Sequence, residues 1–176
     1  MKRLLALLLA LLAAAPAFAQ SPAQAQAPAQ AQVQTENVRA ELLAEASAIK
    51  PGEPFWVGLR QTIRPKWHTY WKNPGDSGLP TEITWKLPDG AKAGPIVWPR
   101  PHLFDLSGVI NYGFKDEAVL LVRITPPADA SGSFTLAAEA NWLVCEDVCI
   151  PEDGKFELSL PVTATGAPAP PATRKG

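Results

Sequence analysis

Apolar and polar residues alternate with period two in one stretch of this chain after another, and each stretch ends in turn-forming residues. From Val38 to Ala48, the set Val38, Ala40, Leu42, Ala44, Ala46 and Ala48 alternates with Arg39, Glu41, Leu43, Glu45 and Ser47. Many of these are helix formers, but an amphipathic helix repeats every three to four residues, so the spacing decides for a strand. The pattern returns at Phe55, Val57 and Leu59, at Trp67, Thr69 and Trp71, and at Thr81, Ile83, Trp85 and Leu87. Pro51-Gly52, Asn73-Pro74-Gly75 and Pro88-Asp89-Gly90 punctuate the runs. Further strands are predicted over 96–98, 109–114, 118–124, 133–142 and 155–162. No window combines a sustained helical period with caps. About eight or nine short strands with regular turns predict an all-β fold, an immunoglobulin-like antiparallel β-sandwich. The 6 Trp residues fit the bulky interior that two packed sheets require, with an exposed sugar-binding platform as the alternative. The segment 99–108 reads as a long Pro-flanked loop whose Leu103, Phe104 and Leu106 are placed to cover something.

The ends of the chain are of another kind. Lys2 and Arg3, an apolar run from Leu4 to Ala15, and Ala17-Phe18-Ala19 have the three parts of a cleavable secretory signal peptide, residues 1–19. About 12 apolar residues are too few to span a bilayer that needs roughly 20, so the run is not an anchor, and no later stretch is longer. Residues 20–35 are rich in Ala, Gln and Pro and read as a disordered linker. Residues 166–176, rich in Pro and Ala, read as a flexible tail. That leaves 36–165 as one domain, a normal size for a chain segment with its own core. Export without a span of its own predicts a soluble, exported mature chain.

Charge excludes some partners. Removal of residues 1–19 leaves 14 basic against 17 acidic residues, a net charge of −3, with no basic cluster. Nucleic acid and anionic membrane surfaces both call for such a cluster. No nucleophile elbow, phosphate loop or metalloprotease helix is present, so hydrolytic and nucleotide chemistry have no residues to rest on.

The 2 Cys residues both fall in Trp142-Leu143-Val144-Cys145-Glu146-Asp147-Val148-Cys149-Ile150-Pro151-Glu152. In an exported protein they are expected to form a disulfide. As a staple it is weak: a five-residue ring gives about 2 kcal/mol of chain-entropy stabilisation, against about 4.7 kcal/mol for a 100-residue loop. Short rings also depart from the preferred disulfide geometry and are easier to reduce, which favours a redox role. Glu146 and Asp147 lie between the sulfurs, where like charge raises the thiol pKa values; the pair then exchanges only with a docked partner. A merely structural disulfide in a non-enzymatic binding or assembly module is the second reading. Metal ligation by Cys145, Cys149, His68 and His102 is the third, but the two histidines are too far apart in sequence for a usual structural zinc site. His68 reads as an ordinary strand residue and His102 as a loop residue. No cofactor and no metal is expected.

The cysteine segment resembles the active-site segment of the N-terminal periplasmic domain of DsbD-type thiol:disulfide interchange proteins, especially the ScsB-like branch. Pro54-Phe55-Trp56-Val57-Gly58-Leu59, the run from Trp67 to Pro80, and Asn111-Tyr112-Gly113-Phe114 resemble that family as well. The resemblance covers most of 38–162 and implies a periplasmic, immunoglobulin-like domain with Cys145 and Cys149 as its redox pair. It implies a thiol-disulfide oxidoreductase of the protein-disulfide reductase type, associated with cytochrome c biogenesis. Electrons would arrive from a thioredoxin-like domain fed by a membrane electron transporter, and would pass to periplasmic disulfide isomerase-like clients. It also implies a cap loop with an aromatic shield, for which Phe104 is the candidate. The best-known members space their cysteines more widely than this chain does. They also carry the membrane and thioredoxin-like parts in the same polypeptide, so a membrane partner acting in trans is expected here. The copper-stress association of the ScsB-like branch implies a metal-linked role as a further alternative.

Overall fold

The period-two runs become strands in which the apolar half of each run is buried. The computed structural model describes residues 31–169, so the signal peptide, most of the linker and the end of the tail lie outside the described residues. The strands are β1 (Gln32–Gln34), β2 (Val38–Ala44), β3 (Ala46–Ala48), β4 (Phe55–Ile63), β5 (Thr69–Gly75), β6 (Glu82–Lys86) and β7 (Lys92–Val97). They continue with β8 (His102–Leu106), β9 (Val109–Phe114), β10 (Glu117–Thr125), β11 (Ser133–Cys145), β12 (Cys149–Pro161) and β13 (Ala167–Pro168). No helix occurs among the described residues, and the strand ladders are antiparallel throughout.

One sheet has the order β1-β2-β4-β10-β7 and a second the order β12-β11-β6. Their inner faces share a core: Val38, Ala40 and Leu42 of β2, Val57 and Leu59 of β4, and Leu120, Val122 and Ile124 of β10 meet Leu136, Ala138, Trp142 and Val144 of β11 and Phe156 of β12. This is the immunoglobulin-like sandwich expected from the alternation. Trp142 and Trp67 are buried, and Trp71, Trp85 and Trp98 pack half-buried against the same core. Ladder hydrogen bonds satisfy the main chain while the alternating side chains bury their apolar area on one face.

Two strands lie inside segments expected to be unstructured. β1 pairs with β2 within the stretch read as linker, because half-buried Val33 packs on the core. β13 pairs with β3 within the stretch read as tail, and Ala169 beyond it is buried.

The segment 99–108 is not a loop. β8 and β9 form a hairpin with Leu106 opposite Val109 and a two-residue turn, Ser107-Gly108, at φ 58° and 93°. Two successive positive φ values match the twist of a tight hairpin, and Asp105 accepts a hydrogen bond from the Gly108 N–H to close it. This hairpin joins β5 in a third sheet of order β5-β9-β8. Gly113 makes that junction possible: a Cβ there would lie 2.0 Å from the Thr69 carbonyl oxygen.

Candidate functional site

β11 and β12 are paired without interruption from Ser133 opposite Pro161 to Cys145 opposite Cys149. The strands expected over 133–142 and 155–162 both extend further, to the cysteines. The register explains why both continue. Pro151 lies on the exposed phase of β12, while Glu152 and Gly154 lie on the buried phase. The cysteines therefore close the tip of a long, rigid ribbon, and Glu146, Asp147 and Val148 form its exposed end.

The two sulfurs are bonded, with the Cα atoms 4.2 Å apart. The main chain places them. Cys145 N–H donates to the His68 carbonyl at 3.0 Å, and Cys145 C=O accepts from His68 N–H at 2.9 Å. Both main-chain groups of Cys145 thus point away from β12, so Cys145 and Cys149 form a non-hydrogen-bonded pair. Side chains come closest at such pairs. The environments of the two cysteines differ: Cys145 is 2% exposed, while Cys149 is open to solvent.

The segment leading into β5 supplies the surroundings. His68 and Tyr70 are two residues apart in extended chain and so share a face. The Tyr70 hydroxyl donates to Cys145 Sγ at 3.0 Å and lies 3.7 Å from Cys149 Sγ. His68 Nε2 lies 3.3 Å from the Tyr70 oxygen. Burial pushes the Tyr70 hydroxyl above its ordinary range and the His68 imidazole below its own, which keeps both neutral near pH 7. Gly78 fixes the tyrosine ring, since a Cβ at that position would lie 2.2 Å from Tyr70 Cε1, and φ there is +95°. Buried Asn111 holds the same loop by donating to the Pro74 and Ser77 carbonyls.

Phe104 projects from β8 onto this cluster, its ring stacked on His68 at 4.8 Å between centroids and 26° between planes. Cys145, Cys149 and Phe104 are therefore brought to one end of the sandwich, with Glu146 and Asp147 at the exposed tip. His102 belongs to β8 rather than to a loop, is exposed, and has its ring 6.4 Å from that of Phe104. Among the described residues no group of three or more His, Cys, Asp or Glu side chains is arranged to hold a metal ion. Sequence reasoning missed Tyr70 and treated His68 as ordinary. The signal available was their spacing of two, which puts both side chains on the face that meets the cysteines.

The exposed large apolar residues of the elements that build the site are Val148 between the cysteines, Leu106 and Val109 on the β8–β9 hairpin, and Leu79 beside Gly78, while Leu103 lies on the face of β8 opposite Phe104. A disulfide between one exposed cysteine and one buried cysteine whose sulfur accepts a hydrogen bond offers Cys149 as the side for attack by an external thiolate.

The family model for the N-terminal part of thiol:disulfide interchange protein DsbD matches residues 39–161. Among solved structures the chain is similar to the N-terminal periplasmic domain of ScsB from Proteus mirabilis, at 22% identity and a TM-score of 0.58. The likeness covers 80% of this chain and 52% of that one, so this chain spans about half of that domain. At this identity the likeness shows the fold. The reduced N-terminal domain of DsbD from Neisseria meningitidis is 17% identical at a TM-score of 0.44, over 68% of this chain and 83% of that one. A curated chorismate synthase of Rhodococcus opacus (strain B4) is 37% identical over 73 residues, 41% of this chain and only 17% of the synthase. The family match, in contrast, runs from Arg39 in β2 to Pro161 at the end of β12 and includes both cysteines, and the chain belongs to the family of the N-terminal domain of thiol:disulfide interchange protein DsbD.

Proposed function

We propose that this domain is a periplasmic thiol-disulfide oxidoreductase module that relays electrons between thioredoxin-like proteins through Cys145 and Cys149. The observation that carries this reading is the asymmetry of the two cysteines: an exposed Cys149 beside a buried Cys145 whose sulfur Tyr70 already hydrogen-bonds. A partner thiolate attacks Cys149, the bond to Cys145 breaks, and the electron pair leaves on the buried sulfur. A second partner thiol then resolves the mixed disulfide and leaves both cysteines reduced. The reverse sequence delivers the two electrons to a client of the disulfide isomerase type.

An apolar rim of Val148, Leu106, Val109 and Leu79 is the docking surface for such partners, Glu146 and Asp147 raise the thiol pKa values and slow unassisted exchange, and Phe104 is the cap. The donor is a thioredoxin-like domain supplied by a membrane electron transporter in trans, and the signal peptide over 1–19 brings the domain 36–165 to the periplasm. The test is kinetic. Reduced thioredoxin-like protein is expected to reduce the disulfide at least about 100-fold faster than glutathione at equal thiolate concentration, because docking on the rim adds to the chemistry. Equal rates would leave only a structural disulfide.

The cap assignment gives its own prediction. Phe104→Ala removes the ring stacked on His68, which neighbours the buried Cys145, so the reduced pair is expected to react about 5- to 10-fold faster with a small alkylating reagent, in keeping with access control of thiol reactivity. An unchanged rate would remove Phe104 from the role of shield.

A further inference from the structure

We propose that His68 is a positioning residue for the exchange step: it aims the Tyr70 hydroxyl at the Cys145 sulfur and ties that hydrogen bond to the position of Phe104. The inference rests on the redox reading of the cysteine pair and adds a residue to it.

With the phenol proton on its sulfur contact, the direction of the neighbouring hydrogen bond follows. A disulfide sulfur carries no hydrogen, so the proton in the 3.0 Å contact between Tyr70 and Cys145 belongs to the phenol. Tyr70 has only that proton, so in the 3.3 Å contact with His68 its oxygen accepts and Nε2–H donates. The neutral imidazole is thereby assigned the Nε2–H tautomer. The main chain of His68 is anchored beside the disulfide, since it exchanges two hydrogen bonds with Cys145. One ring neighbour is the edge of Tyr70 at 5.1 Å and another is the stacked Phe104. The ring and main chain of His68 thus link the cap to the cysteine pair.

The chemistry needs this arrangement at one moment. When a partner thiolate attacks Cys149 Sγ, a sulfur–sulfur bond forms between partner and Cys149 while the Cys149–Cys145 bond breaks. The partner sulfur is oxidised, and Cys145 takes the electron pair as a thiolate. That thiolate appears at a buried position where the hydrogen bond from Tyr70 is the polar contact on hand. Tyr70 keeps its proton and stabilises the charge, and donation from His68 to the phenol oxygen strengthens the phenol as a donor.

A docking partner that lifts Phe104 also hydrates His68 and undoes the burial that keeps it neutral. The resulting imidazolium is a stronger donor to Tyr70. Groups facing His68 are Tyr70 from its own segment, Cys145 from β11 and Phe104 from β8, with His102 beyond Phe104 and Glu146 and Asp147 exposed at the hairpin tip. The rate per partner thiolate should therefore rise as pH falls through the titration of His68.

The test uses the full chain, oxidised, with reduced thioredoxin as the probe, over about pH 5 to about pH 8. His68→Phe keeps the stack and removes the donor; His68→Gln supplies an amide N–H toward Tyr70 and cannot titrate. His68→Phe is expected to slow reduction about tenfold, the effect of one lost hydrogen bond, and to flatten the profile. His68→Gln is expected to lie within about threefold of the wild type and to be equally flat. His68→Phe retains every other titratable group, so the difference profile belongs to residue 68. A wild-type rate and profile in His68→Phe would overturn the proposal. Should that variant fail to fold, a wild-type pH slope in His68→Gln would do the same. If wild-type protein is not reduced by thioredoxin at all, the exchange reading fails first; if wild-type exchanges normally and both variants match it, only the role of His68 fails.

Discussion

Cys149→Ser is expected to abolish thiol–disulfide exchange, and Cys145→Ser is expected to do so with a different chemical outcome. Each variant lacks the disulfide, so a loss of at least about 1,000-fold is expected from either, as for any two-thiol exchange reaction deprived of one thiol. The difference between them lies in burial. In Cys145→Ser the remaining thiol is the exposed Cys149, which attacks an oxidised partner and then holds it, because the resolving sulfur is gone. In Cys149→Ser the remaining thiol is Cys145, buried at the ribbon tip under Tyr70. The mixed disulfide should accumulate with the first variant and hardly at all with the second, and non-reducing electrophoresis against a thioredoxin-like partner reads the difference. Alkylation should be slower for Cys149→Ser by about 30-fold in folded protein and equal for the two in urea. Equal trapping by both variants would mean that the burial difference does not direct the reaction.

The second large effect concerns stability. Glu152 occupies the inward phase of β12, directly across from Trp142, and its buried carboxylate accepts four hydrogen bonds. The donors are the Asn37 main-chain N–H at 2.9 Å, Asn37 Nδ2 at 3.0 Å, Trp142 Nε1 at 3.2 Å and the Thr35 hydroxyl. These bonds tie the start of β2 to the ribbon that ends in the cysteines. Glu152→Ala leaves the donors without an acceptor in a closed interior, at about 1–3 kcal/mol for each one that water does not reach. A total loss of about 3–5 kcal/mol is expected, a fall of roughly 2 M in the urea midpoint at the slope usual for small domains. Glu152→Gln keeps one carbonyl acceptor and should lose about half as much. A midpoint within about 0.5 M of the wild type for Glu152→Ala would show that the network contributes little.

How far the sequence spoke depends on which physical signal it carried. Alternation located most strands because burial on one face of a sheet leaves a period-two record, as in Val38 to Ala44 and Ala118 to Ile124. It failed where inward positions are polar. Glu152 and Gly154 lie on the buried phase of β12 without being apolar, so the ribbon appeared to stop short of the cysteines. The Ser107-Gly108 turn was not legible as the turn of a hairpin, because the strand before it is short and mostly exposed and so leaves no buried alternation to read.

At the site, the cysteines and the aromatic Phe104 were visible as residue types in unusual places. Their arrangement was not, because it depends on a bridge between His68 and Cys145 that spans much of the chain. Tyr70 became meaningful only when that bridge put its hydroxyl on a sulfur 75 residues away. The electrostatic part was readable in kind only: acidic residues between two thiols are evident from sequence, whereas the neutral, buried His68 and Tyr70 are a product of packing.

The central claim is that this disulfide exists to be reduced and re-formed, and equilibrium titration of the Cys145–Cys149 pair against glutathione tests it most directly. A potential between about −180 and about −280 mV is expected, within the range spanned by disulfide isomerases and thioredoxins, so that electrons can pass in and out. A pair that remains oxidised to potentials well below about −300 mV would be a structural bond and would contradict the account.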